Sequence, residues 1–459
     1  MSSLNASLEI ARRALRAHQL TMGVIGANVA NVNTPGFSRR RTYLGASAGI
    51  MTNHGTVGTG VEVTTIRRDR DMLLEGLYRQ HNSAAGNWSA LEQALGRVET
   101  VFPAADTDGL GDALGAFWSA WNNLANDPAD PGRRAVVRAA GEQVADTFHR
   151  LDAHLASLMS DLDAEMGADT DRINRIATRL AALNVGISAA ELRGQEASDL
   201  RDERDSLLEE LSGIATVHSQ ETSTGAVTVS LGTEVLVQDD RARQLEVVPV
   251  AGAGQASVRV RWQDTQRDVQ ADGGHLAGLV TARDERLAGY RATLDTLAAT
   301  LVEQVNRVHV TGSGLDGSTG NAFFDPAWTH ASDIRLDHGV DTDLERIAAS
   351  ASGATGDGNT AQAIAGLRTA ALLGNGQLTF EGFYRGLVGQ IGLDASHAAS
   401  SVAAESGALD AIDAQRASIS GISLDEEMTQ MLSTQHAYEA VIRITTVIDD
   451  MMDTLISGL

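Results

Sequence analysis

The chain has no cysteine and no lysine. Without cysteine it can form no disulfide, thiolate nucleophile, Fe–S ligand set or Cys-type zinc site. All 36 basic residues are arginine, which removes the phosphate-gripping lysine of a P-loop and any Schiff-base lysine. Positive charge is in deficit as well: 60 acidic side chains give a net charge of −24. That balance argues against nucleic acid or an anionic membrane surface as a partner. No apolar run reaches the ~18 residues that a membrane span needs, so no membrane insertion is expected. The first thirty residues lack the apolar core of a secretory signal, because Arg12, Arg13 and Arg16 stand where it would lie. Taken alone, that reads as cytoplasmic. Proline is missing from Gly132 to Leu211, which leaves room for long helices.

What is present is periodicity, strongest at the two ends. Leu4, Leu8, Ala11, Leu15, His18, Met22, Ile25 and Val29 follow the alternating four-and-three spacing of a coiled-coil seam. Asn33-Thr34-Pro35-Gly36-Phe37 ends it, since Pro35 disfavours helix at Thr34 and Gly36 supplies a turn. One helix cannot satisfy such a seam, and the other chain end offers a partner. Ser423-Leu424-Asp425-Glu426 reads as a capping box, with Glu426 reaching back to the cap. An apolar stripe follows at Leu424, Met428, Met431, Tyr438, Ile442, Thr445, Ile448, Met452 and Leu455. Residues 1–41 carry a net +5 and residues 421–459 a net −6, which favours pairing of the ends, although exposed pairs are worth only about 0–1 kcal/mol each.

Between the ends the period changes twice. Residues 38–66 look extended, and Asp69–Val101, Leu110–Leu124 and the run after Pro131 look helical, with a break expected at Gly167. About four antiparallel strands fit residues 214–270. Helical spacing resumes from Leu287, a loop-rich region spans 311–360 around an apolar knot at Phe323-Phe324, and 361–373 and 380–420 are helical again. The expected fold is mainly α with a β insert: terminal helices paired as a coiled coil, an elongated helical-bundle domain, and a small inserted antiparallel β domain. The expected division is 1–33 plus 424–459 as terminal coiled coil, 34–81 as extended connector, 82–212 plus 276–423 as helical core, and 213–275 as β insert.

Few motifs point to chemistry. Gly45-Ala46-Ser47-Ala48-Gly49 matches the nucleophile elbow of α/β-hydrolases by letters, but no helix-forming stretch follows; the other reading is a small-residue loop. Gly312-Ser313-Gly314-Leu315-Asp316-Gly317 imitates a dinucleotide fingerprint but follows a helix and opens a loop. Asp333, Asp337, His338, Asp341 and Asp343 cluster without EF-hand spacing, and Asp106-Thr107-Asp108-Gly109 fails the same test. The 12 histidines include no HExxH. No catalytic residue, cofactor or metal site is expected.

Ala27-Asn28-Val29-Ala30-Asn31-Val32-Asn33-Thr34-Pro35-Gly36-Phe37-Ser38-Arg39 resembles the signature shared by axial proteins of the bacterial flagellum, the rod, hook and hook-associated proteins. Gly58–Arg67 with Asp71, Leu74 and Arg79 resembles the segment that follows in them. Leu114-Gly115-Ala116-Phe117-Trp118-Ser119-Ala120-Trp121-Asn122-Asn123-Leu124-Ala125-Asn126-Asp127-Pro128 with Arg134 is similar to the hook-associated protein 1 branch. So are Phe323-Phe324, Ile347-Ala348-Ala349-Ser350, Ser420–Glu427, Gln435–Ala440 and Asp453-Thr454-Leu455. The β insert carries no such motif.

The resemblance implies a non-enzymatic subunit of the ring joining hook to filament, exported unfolded through the flagellar type III export apparatus and remaining outside the cell. The implied partners are further copies in a homo-oligomeric ring, the hook protein, a second junction protein (hook-associated protein 3) and a cytosolic export chaperone. Leu8, Leu15, Met22, Ile25, Asn28, Asn31, Pro35, Leu432, Tyr438, Ile442, Ile448 and Leu455 are the expected assembly contacts. Leu424, Met428, Met431, Leu432 and Tyr438 are the expected chaperone contacts. Two other readings remain: a hook or rod subunit, and a hydrolase using Ser47.

Overall fold

The computed structural model describes residues 2–52, 55–102, 109–250 and 257–457. Helix α1 (Ser2–Ala30) stops near the expected break, and Gly36 takes the left-handed φ of 78° that the following turn needs. The extended region is a long arm of four strands, β1 (Arg40–Ala46), β2 (Ile50–Thr52), β3 (Gly55–Val57) and β4 (Val61–Arg68). β1 pairs with β4 and β2 with β3, both antiparallel. The extended connector is shorter than expected. Residues 72–81 are the first turns of α2 (Met72–Val101), because the Asp71 carboxylate accepts the N–H groups of Leu73 and Leu74 and starts the helix there.

Helix α3 (Leu110–Asn126) leads to α4 (Pro131–Glu191), which runs for 61 residues from an Asp130 cap and a proline in its first turn. The break expected at Gly167 is not there. An added Cβ would meet nothing at Gly167, so it sits on the open face, while Met166, Thr170 and Ile173 around it are buried. Their burial outweighs the ~1 kcal/mol that glycine costs a helix. The chain turns only at Gly194, φ 75°, before α5 (Ser198–Ile214).

The β insert has six strands rather than about four: β5 (Val217–Glu221), β6 (Val227–Leu231), β7 (Glu234–Gln238), β8 (Arg241–Ala242), β9 (Leu245–Val250) and β10 (Ser257–Trp262). The first four form one sheet in chain order, and β9 pairs with β10 separately. Tight turns at Gly232 and Asp239, both at positive φ, separate strands too short to show a period of their own. Helix α6 (Gly274–Val280) continues through a π-helical stretch, Thr281–Leu287, into α7 (Ala288–His309). After a long loop region containing α8 (His338–Thr342) come α9 (Asn359–Gly366), α10 (Phe380–Ser420) and α11 (Leu424–Ser457). Among the described residues no helix is long and apolar enough to cross a membrane.

α10 lies antiparallel along α2: Arg416 meets Glu75, His81 meets Glu405 at 2.8 Å, and Trp88 meets His397. The core centres on α3, where Phe117, Trp118 and Trp121 are buried. Phe323 packs edge-on against Trp121 at 5.1 Å and against Phe324 at 5.0 Å, so the apolar knot of the loop region plugs into α3. Two buried polar side chains hold that loop down. Arg134 donates to the carbonyls of Pro128, Leu344 and Ile347. Nδ1–H of His309 donates to the Asn321 carbonyl at 2.7 Å, and its Nε2 accepts the Ala348 N–H at 2.8 Å. Burial pushes the His309 pKa down to about 4. Members of the acidic cluster cap turns: Asp333 accepts from His330 N–H, Asp337 from Gly339 and Asp343 from Glu345. Asp106, Thr107 and Asp108 lie outside the described residues.

Candidate functional site

The two chain ends meet. α1 and α11 run antiparallel, with Gln19 donating to the Tyr438 hydroxyl at 3.0 Å and Asn28 to Glu427 at 3.0 Å. On α1 the expected seam holds: Ala11 and Ile25 are buried, and Leu4, Leu8, Leu15, His18, Met22 and Val29 are half-buried. α1 also has a second buried face, of Ala17, Thr21 and Asn28, against the β1–β4 arm. Asn28 fastens three elements at once, exchanging hydrogen bonds with the backbone of Arg40 on β1 while gripping Glu427 on α11. Asn31 bonds back to the Ala27 carbonyl, and Pro35 is exposed.

On α11 the stripe drawn from the sequence divides in two. Met431, Tyr438, Thr445, Ile448 and Met452 turn inward, together with Thr434 and Val441. Leu424, Met428, Ile442 and Leu455, and beside them the expected contact Leu432, remain between 42% and 52% exposed. Successive steps of four residues rotate about 40° away from a seam each time, so the series 424, 428, 432 leaves the contact line. A further exposed row holds Ile444, Val447 and Met451. The capping box is half formed. Ser423 Oγ accepts the Glu426 N–H at 3.4 Å, but the Glu426 carboxylate goes to Arg39 instead of turning back. Arg39 carries the charge pairing of the ends, reaching Glu426 at 2.8 Å and Glu427 at 2.7 Å. Burial opposes the Arg39 charge, but the two carboxylates raise its pKa overall.

A second arrangement ties this terminal unit to the body. Asp199, Asp202, Asp205 and Glu209 recur along one side of α5 at spacings of three and four. Arginines from three distant segments are threaded along them. Arg40 meets Asp199 and Asp202, Arg68 meets Asp202 at 2.7 Å and Asp205 at 3.0 Å, and Arg70 meets Asp205 at 2.8 Å. Arg416 closes the row on Glu209 and Glu75 and stacks on the Tyr78 ring at 4.4 Å. Burial alone would raise the Asp205 carboxyl, but Arg204, Arg68 and Arg70 outweigh it and hold its pKa low. At Glu209 burial prevails over Arg416, and its pKa is raised. None of this was read from the sequence. The acidic spacing on α5 and the triplet Arg39-Arg40-Arg41 were the visible signals; which arginine meets which acid depends on folding.

The enzyme-like motifs resolve as loops. Ser47 follows β1 and precedes β2, with no helix after it, and its hydroxyl is buried without a hydrogen-bond partner among the described residues. Gly312–Gly317 leaves α7 into a turn closed by Ser313 N–H to the Ser350 carbonyl and Gly314 N–H to the Ser318 carbonyl. Among the described residues no group of His, Asp and Glu could hold a metal ion.

Long helices, paired chain ends and an apolar row left open beside the pair define a structural subunit built to assemble with others. The family model described as flagellar hook-associated protein FlgK helical domain matches residues 95–324. Those described as flagella basal body rod protein and flagellar basal body rod FlgEFG protein C-terminal match residues 8–37 and 412–458. Flagellar hook-associated protein 1 of Bacillus subtilis (strain 168) is 30% identical over 502 residues, covering 100% of this chain and 99% of its own length. The protein of that name from Escherichia coli (strain K12) is 28% identical over 334 residues, 71% of this chain and 60% of its own. The solved flagellar hook junction protein FlgK from Burkholderia pseudomallei shares the fold, with a TM-score of 0.65 at 16% identity over 74% of this chain and 100% of that one. The chain belongs to the flagellar hook-associated protein 1 family, structural axial components of the bacterial flagellum at the hook–filament junction. The rod-type matches lie at the two ends and the hook-associated match in the middle, which decides against a hook or rod subunit.

Proposed function

We propose that copies of this chain form the ring between hook and filament by packing their terminal helix pairs side by side. The observation that carries this is the open row on α11, where Leu424, Met428, Leu432, Ile442 and Leu455 are about half exposed beside a seam that is itself only partly buried. Burying a Leu-sized side chain fully is worth roughly 1.5–3 kcal/mol, so neighbours gain most at these positions. Ile25, Asn28 and Ile448 serve the subunit itself, and Leu8, Leu15, Met22 and Tyr438 serve both.

The organisation into a terminal coiled coil, connector, helical core and β insert follows the same logic: the innermost unit binds neighbours and the outer units fill the wall. The hook protein and the second junction protein flank the ring. The chain reaches the cell exterior unfolded through the flagellar type III export apparatus. Before export the apolar side of α11, with Leu424, Met428, Met431, Leu432 and Tyr438, lies in the groove of a cytosolic chaperone. No catalytic step is assigned to Ser47 or to any other residue.

A deletion strain is expected to show intact hooks without filaments and flagellin shed into the medium; normal filaments would defeat the proposal. A chain truncated after Gly421 is expected to lose chaperone capture in a pull-down, and retained capture would remove α11 as the chaperone segment.

A further inference from the structure

α1 and the far end of α11 carry opposite charges that do not meet inside the subunit. Arg12, Arg13 and Arg16 are the only arginines before Arg39, and all three are exposed. Among the described residues Arg12 pairs with Glu9 of its own helix at 3.3 Å, and Arg13 and Arg16 have no hydrogen-bond or ion-pair partner. On α11, Asp449, Asp450 and Asp453 are exposed, and their carboxylates have no partner among the described residues. No arginine follows Arg443. These aspartates stand near the C-terminal end of a helix that finishes at Ser457 with no basic residue in its last turn. That is the negative end of the helix dipole, where carboxylates are disfavoured and cations favoured.

The register of the helix pair keeps the two rows apart. Gln19 meets Tyr438 and Asn28 meets Glu427, so Arg13 lies level with Arg443, another cation, and the aspartates lie level with the first two turns of α1. The rows are offset along the axis by about nine residues, or about 13 Å. Their spacing nevertheless matches. Arg12 and Arg16 stand one helical turn apart, as do Asp449 and Asp453. An antiparallel α11 slid by that offset brings Arg12 level with Asp453 and Arg16 level with Asp449 together, with Arg13 beside Asp450. Leu20 follows Arg16 by one turn, and Ile442 of the open row precedes Asp449 by two turns on the same side of α11. Both are exposed, so the same contact covers them.

We propose that α1 of one copy docks its row of Arg12, Arg13 and Arg16 on the row of Asp449, Asp450 and Asp453 on α11 of the next copy, displaced along the axis by about 13 Å. Charge complementarity between these two faces selects a second copy as the occupant. Each copy carries one face of each sign and satisfies neither, so a contact that uses one of each leaves one of each for the copy that follows. The whole-chain charge of −24 acts the other way: it repels copies in other orientations and leaves this one attractive. The two surfaces differ, so the contact is head-to-tail, and its axial step makes the ring a turn of a helix rather than a flat circle. This contact rests on side-by-side assembly and gives that assembly a direction and a pitch.

Sedimentation of full-length chains with one face reversed tests it. Arg12→Glu with Arg16→Glu, and in a second chain Asp449→Arg with Asp453→Arg, are each expected to weaken self-association by about tenfold. Mixing the two reversed chains is expected to restore it, because each then offers the face that the other lacks. Undiminished association of either reversed chain alone would overturn the charged contact and leave assembly through the apolar row standing. Weakening that mixing does not repair would overturn it too, since the charges would then serve only the helix pair of their own subunit. A wild-type chain that never associates would overturn both this contact and side-by-side assembly.

Discussion

The loop clamp over α3 and the terminal helix pair are held by opposite means. In the clamp, Phe117, Trp118, Trp121, Phe323 and Phe324 are fully buried, and Arg134 and His309 spend their donors on backbone carbonyls inside the subunit. Among the described residues at the chain ends only Ala11, Ala17 and Ile25 of the apolar residues on α1, and Ile448 on α11, are buried. Polar pins orient that pair, namely Asn28, Gln19–Tyr438 and Arg39 with Glu426 and Glu427, and the arginine row on α5 ties the terminal unit to the body. A buried aromatic clamp is complete without neighbours. A half-exposed seam held at one corner by charge is oriented but not filled, which is what the proposed side-by-side packing needs.

Single substitutions test this contrast directly. The largest effect is expected in the clamp. Trp121→Ala should cost about 3–5 kcal/mol of body stability in denaturant unfolding; a loss below ~1 kcal/mol would mean the clamp is not the keystone described. Acid should act on the clamp next. The His309 pKa stands at about 4 in the fold against 6.5 ordinarily, so the folded state requires the neutral ring whose Nε2 accepts from Ala348. Its contribution is complete above pH 6.5 and is lost as pH falls from there through about 4, reaching about 3 kcal/mol. Unfolding curves at pH 7, 5 and 4 should show that loss, and His309→Gln should flatten it.

Arg68→Met leaves Asp202 and Asp205 short of a buried partner. It should destabilise the attachment of the terminal unit by about 2–4 kcal/mol, read as faster amide exchange in β4 and α1 with the α3 clamp unchanged. The smallest effect is expected at the open row. Leu432→Ala should change monomer stability by no more than ~0.5 kcal/mol while weakening self-association. Equal losses in both would mean that Leu432 packs within the subunit.

Much of this architecture was legible in residue spacing. The α1 seam, the helix starting at Pro131, the β insert and the Phe323-Phe324 knot each carry a strong local period or a compact apolar signal. Where the reading failed, the reason was local. Gly167 looks like a breaker until burial on both sides of it is counted, and a connector drawn to residue 81 overruns the helical spacing that sets in at Asp69. The α11 stripe was legible as amphipathic but not as two rows, because hydrophobicity alone does not say which turn of a helix a partner will touch. The arginine row on α5 was not legible at all.

By itself the amino-acid sequence determined which segments coil, which extend, and that the two ends carry complementary stripes and opposite charge. Those properties depend on neighbours within a few residues, where helix and strand periods act. Only the tertiary structure decided that Asn28 is consumed inside the subunit while Leu432 is left open, and that Arg416 is satisfied while, among the described residues, Arg16 is not. Such outcomes depend on groups brought together from hundreds of residues apart, and whether a side chain is paired or free is a property of that meeting.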